Sequence, residues 1–196
     1  MANIGAILSV SNSIIKFLES SYARTGSDEH AATFRLLSSG NLAEESLDVD
    51  GVVSLYLYRV SVNDHLRNTR PQRGSGLAVP LPLNLHYLLS VWSVSAETEQ
   101  FLLAWAMRHL HEHPILDRSS LTPDGGWSPD EVIHIAPDEL SNEDLLRLWD
   151  TITPSYRISY SYVARVVQLD PSEQAPEVPV VATRSRLVEM AGGSGG

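Results

Sequence analysis

The chain has 196 residues, 43% of them hydrophobic and 19% charged, which suits one packed domain with a substantial core and excludes a chain too polar to fold. Its 24 acidic against 14 basic residues leave a formal charge of −10, so no general attraction to nucleic-acid phosphates or anionic lipid is expected. With no cysteine, disulfides, thiolate zinc sites and cysteine nucleophiles are all excluded.

In chain order, Ile4, Ile7, Leu8, Ile14, Leu18 and Tyr22 recur at three- and four-residue spacing and predict an amphipathic helix over residues 4–22 with those side chains on its buried face. Residues 33–37 fit a short strand, and the acidic, aperiodic stretch 42–51 reads as a loop. Residues 52–62 are rich in β-branched and aromatic side chains on both alternating sets, the pattern of a strand covered on both faces and central in its sheet. Residues 63–76 carry Arg67, Arg70 and Arg73 with Pro71 and two glycines and read as an exposed basic loop.

Leu83, Leu85, Tyr87, Leu89 and Val91 alternate with Asn84, His86 and Ser90, the clearest strand in the chain. Ser95 is placed to cap a helix whose first turn holds Glu97 and Glu99, whose body is apolar from Phe101 to Leu110, and which Pro114 ends. After a turn-rich stretch, residues 132–136 fit a short strand. Ser141 and Asp144 resemble a capping box before the stripe Leu145, Leu148, Trp149 and Ile152. Tyr156, Ile158, Tyr160, Tyr162, Ala164 and Val166 then alternate with polar residues in a last long strand. Beyond Asp170, Pro171, Pro176 and Pro179 space out an apolar patch at 178–182, and the chain closes in glycine and serine.

These elements predict an α+β fold: a single domain over residues 1–170, with a mixed or antiparallel sheet flanked by helices, followed by an extended or flexible arm over 171–196. No stretch approaches the ~20 apolar residues of a membrane span and the N-terminus lacks a secretion signal, so a soluble protein, cytoplasmic as synthesised, without membrane insertion is expected.

Chemistry is sparse. His109 and His113 share a helix face at a spacing that can chelate a metal, while His111 points elsewhere; no third ligand is evident, and histidines at a helix C-terminus are also explained by capping and the helix dipole. No metal, cofactor or catalytic residue is therefore expected. The adjacent Asp64 and His65 diverge and lack an activated serine, and His86 and His134 read as hydrogen-bonded sheet residues. Gly74 and Gly76 lack the Lys-Ser/Thr of a phosphate loop, and Trp92, Trp105, Trp127 and Trp149 are spaced as packing residues. The acids of region 124–144 fail the calcium-loop spacing and read as a solvated surface.

Residues 80–92, PLPLNLHYLLSVW, with the flanking helices and strands over about residues 1–170, resemble the N-terminal domain family of cap, or tail-terminator, proteins of phage-tail-like contractile injection systems of the virulence-cassette and antifeeding-prophage type. The resemblance implies a non-enzymatic, homohexameric ring that contacts the inner tube protein and the sheath protein and stops both polymers. It transfers no catalytic residue. Some relatives carry a long further region, and no role located there is expected of this chain. The parts free to reach neighbours are the loop with Arg67, Arg70 and Arg73 and the arm with Val178, Val180 and Val181, which are the candidate interface; a solvated loop and a disordered tail are the other readings. The alternative function is an assembly adaptor or chaperone that binds a particle component without forming a ring. An enzyme built on the His109–His113 cluster lacks a converging nucleophile and oxyanion donors.

Overall fold

The computed structural model of the chain describes residues 2–27, 29–43, 50–63, 80–152 and 156–170. Six strands, β1 (Thr33–Leu37), β2 (Val52–Val62), β3 (Leu81–Trp92), β4 (Ile115–Leu116), β5 (Ile133–Pro137) and β6 (Ser159–Leu169), form one sheet in the order β1-β2-β3-β6-β5-β4. The β1–β2 pair is parallel and the other pairs are antiparallel, so the sheet is mixed. With helices on both faces this is the α+β arrangement the element pattern predicts.

The centre belongs to β3 and β6, not to β2 as its apolar pattern suggested. Both alternating sets of β2 are buried from Val52 to Leu55, but Arg59, Val60 and Val62 are exposed. The reason is that β1 pairs only with Val52 to Tyr56, so among the described residues the outer edge of β2 beyond Tyr56 has no strand beside it. At the other end, Gly51 adopts φ +75°, donates its N–H to the Trp92 carbonyl at 3.0 Å and accepts from the Thr33 N–H at 2.9 Å. A Cβ there would lie 2.2 Å from the Ala31 carbonyl oxygen, so only glycine fits the turn that leads into β2.

One face of the sheet packs against α1 (Ala6–Thr25) and α3 (Ala96–Glu112). The buried row of α1 is Ala6, Val10, Ile14 and Leu18, flanked by the buried Ser9 and Ser13. Small side chains let the helix approach closely, and their hydroxyls are satisfied: Ser9 Oγ lies 2.8 Å from the Thr122 carbonyl oxygen and accepts from Trp127 Nε1 at 2.9 Å, while Ser13 Oγ accepts the Thr122 N–H at 2.8 Å. This corrects the predicted helix face, because Ile4 precedes the helix and is 90% exposed and Leu8 is 58% exposed. In α3 the Ser95 cap accepts from the Thr98 N–H, and Leu102, Leu103, Trp105, Ala106 and Leu110 are buried.

The opposite face holds a smaller cluster of Leu37, Leu42, Val52, Leu88, Trp92 and Trp149. Leu42 comes from α2 (Ser39–Ala43), a short helix that ends within the first two residues of the stretch read as loop, and Trp149 comes from α4 (Asn142–Asp150). Ser141 Oγ accepts the Asp144 N–H at 3.1 Å, as the capping pattern predicts. In β6 a register shift opposite Leu83–Leu85 changes the phase of the alternation, so that Val167 pairs with Leu83 and is fully buried.

Candidate assembly surface

The structure exposes an apolar shelf at one corner of the sheet. Ile4, just before α1, and Ile7 and Leu8 of its first turn face Leu36 of β1 and Leu57 of β2 across a shallow hollow of about 400 Å³. The ladder places Leu57, Val60 and Val62 on one face of β2, opposite Tyr87, Leu85 and Leu83, and Val60 and Val62 are 46% and 41% exposed. The shelf thus borders a stretch of β2 that, among the described residues, has no strand on its outer side; such an edge can template an added strand. At the end of β6, on the side away from β3, Ala2 N–H donates to the Gln168 carbonyl at 3.0 Å and Asp170 N–H to the Ala2 carbonyl at 2.8 Å. Asp170 is thus bonded to Ala2, which lies two residues before Ile4 in the sequence.

Arg67, Arg70, Arg73, Val178, Val180 and Val181, the candidate interface residues of the sequence, lie outside the described residues, as do Asp64 and His65. None of Ile4, Leu8, Val60 and Val62 was among those candidates, since an apolar residue within a periodic pattern is assigned to the core by default. The signal that separates them is the competing four-residue row of Ala6, Val10, Ile14 and Leu18, which has the closer fit to a helix packed on a sheet.

A second feature is a polar network on the other face. His86 Nδ1 donates to Asp138 Oδ2 at 2.7 Å, and its Nε2 is 2.9 Å from Ser61 Oγ. Tyr58 donates to the same carboxylate oxygen at 3.1 Å and lies 2.9 Å from Ser161 Oγ. Burial pushes the Asp138 carboxyl up, but the donors and charge of His86, then Tyr58 and Ser161, outweigh it and hold the group below the usual carboxylate range. Asp138 is thus a half-buried acceptor rather than part of the solvated acidic surface expected for its region. The order carboxylate–imidazole–hydroxyl matches a nucleophile-activating chain, yet Ser61 sits in a regular ladder opposite Asn84 and the carboxylate is shared with two further hydroxyls, so its evident work is to fasten β5 to the sheet. His134, by contrast, is exposed on β5.

At the end of α3, His109, Glu112 and His113 place one potential ligand atom each within 4.8 Å of one another. His109 stacks on Trp105 at 5.0 Å and 8° and on Phe17 at 5.1 Å. His111 is exposed and outside this group. All four tryptophans are buried, as their spacing predicts. Among the described residues no helix is long and apolar enough to cross a membrane.

A six-stranded mixed sheet with helices on both faces and an exposed apolar corner defines an α+β domain. The chain belongs to the Pvc16 N-terminal domain family, whose profile matches residues 9–183 and so continues past Asp170 across Val178, Val180 and Val181. Two solved structures share the fold. One is the PVC sheath/tube terminator of an extracellular contractile injection system in its extended state, with a TM-score of 0.57 and 19% identity over 96% of this chain and 65% of that one. The other is the anti-feeding prophage cap, a tube-terminating cap, with a TM-score of 0.58 and 16% identity over 91% of this chain and 60% of that one. The chain therefore spans just under two thirds of the length of either. No curated protein matches the sequence significantly.

Proposed function

We propose that this chain is a structural, non-enzymatic cap of a contractile injection particle, a ring of identical copies that ends the inner tube and the sheath. The observation that carries the reading is membership of the Pvc16 N-terminal domain family together with a fold like that of two terminator caps. The surface supports it physically. A shelf on one corner that meets a different part of the next copy makes a head-to-tail contact, which closes into a ring when the rotation permits, and a ring lacking a further docking face stops a stack. The segment 171–196 serves as an arm in this scheme, because its apolar part lies within the family match. The loop carrying Arg67, Arg70 and Arg73 offers cations to an acidic tube or sheath surface.

The test is electron microscopy of particles assembled with and without this chain, combined with the solution mass of the purified protein. A cap predicts particles of uncontrolled tube and sheath length when the chain is missing, and a mass of six copies for a hexameric ring. A monomer or dimer whose removal leaves length unchanged but reduces particle number would identify an assembly adaptor or chaperone instead.

A further inference from the structure

We propose that His109, Glu112 and His113 form a binding site for one divalent transition ion of the zinc class at the C-terminal end of α3. The sequence offers two histidines one helical turn apart; the structure adds the third ligand, because the Glu112 carboxylate lies within 4.8 Å of both imidazoles. Zinc bonds of ~2.1 Å in a tetrahedral site set ligand atoms roughly 3.4 Å apart. Glu112 and His113 are both exposed, so side-chain rotation is the way such a difference would close. The two imidazole rings are already neighbours, with centroids 4.6 Å apart.

The site is organised beyond its ligand count. His113 Nδ1 lies 3.1 Å from the His109 carbonyl oxygen; a carbonyl only accepts, so Nδ1 is the donor, and in the neutral ring Nε2 is the atom with the lone pair a metal would take. The backbone thus fixes the tautomer that a metal-binding histidine requires. The plane of His109 is set by its stack on Trp105 and its contact with Phe17, which limits the ring freedom lost on binding. Glu112 has one competing partner, Arg108 Nε at 3.9 Å, and that pair is exposed on both sides, so releasing it costs little. Two imidazole nitrogens and one carboxylate oxygen suit zinc, cobalt, nickel or copper(II), and are a poor set for calcium or magnesium, which take oxygen ligands. Three ligands leave the fourth zinc position for water or for a group from another chain.

The experiment uses the full-length chain without a histidine tag, titrated with Zn²⁺ by calorimetry and followed by thermal melting. One ion per chain is expected, with a melting temperature that rises as Zn²⁺ exceeds the dissociation constant. His109→Phe keeps an aromatic ring on Trp105 and removes the donor, and His113→Gln removes the second; each should abolish both the stoichiometric binding and the zinc-dependent rise while retaining the helical circular dichroism signal. Glu112→Gln should weaken binding, and His111→Ala should bind as the parent does. The proposal is overturned if Zn²⁺ shows no saturable binding, if binding survives both His109→Phe and His113→Gln, or if His111→Ala abolishes it. The readout concerns the isolated chain and does not depend on whether the protein caps a particle.

Discussion

The Nδ1 of His86 lies 2.7 Å from the Oδ2 of Asp138, so a side chain from the central strand holds the residue at which β5 gives way to the approach to α4. Asp138→Ala would leave His86, Tyr58 and Ser161 without their shared acceptor. The expected cost is ~1–3 kcal/mol at neutral pH, read from urea denaturation. The folded-state pKa of Asp138 is lowered, so its contribution is fully present above the unfolded value of about 3.9 and is lost as pH falls through the folded value. The stability difference between the parent and Asp138→Asn should therefore shrink in acid, and a difference that stays constant from about pH 7 to pH 3 would contradict the network.

Leu85 is fully buried on β3, and the neighbouring Asn84 is on the opposite face and only half-buried. Leu85→Ala should cost ~2–5 kcal/mol through lost burial and an unfilled cavity, and Asn84→Ala far less. Equal denaturation midpoints for the two variants would refute the placement of β3.

Leu8→Ser, at a position 58% exposed, should change stability by no more than ~0.5 kcal/mol. If the shelf is a docking face, the same variant fails to enter particles or to form a ring, as measured by sedimentation and by its occupancy in purified particles. Normal incorporation would remove Leu8 from the interface.

Deleting residues 171–196 tests the arm. The truncated protein should keep its circular dichroism and melting temperature, since all the described elements lie before Asp170, but should be lost from particles. Truncated protein that still caps particles of normal length would shift the contacts to the folded domain.

The strands were legible where local pattern and tertiary role coincide. Leu83 to Val91 alternate because one face meets α1 and α3, and β3 emerges from period alone. The face of α1 was not legible in the same way. Ile4, Ile7 and Leu8 dominate its hydropathy, whereas Ser9 and Ser13 become good core residues only through bonds to Thr122 and Trp127, more than a hundred residues away in sequence. His86 and Asp138 are 52 residues apart, and no spacing rule joins them. The bulge in β6 moved the buried position to Val167 for a reason that lies in the pairing with β3. The shelf stayed hidden because apolar composition does not distinguish a residue that packs within its own chain from one held for another.

Among the described residues the outer edge of β2 beyond Tyr56 is open, and an open edge makes the order of encounters matter. A strand edge bordered by apolar side chains will pair with any suitable segment it meets, including a misdirected one. Two things oppose that before assembly: the exposed Arg59 on the open stretch and a net charge of −10 that keeps copies apart. The second is a long-range effect, and its reach contracts to ~10 Å at 0.1 M salt. Ionic strength should therefore act as a throttle on self-encounter, with sedimentation finding dispersed copies in dilute buffer and faster association as salt is added.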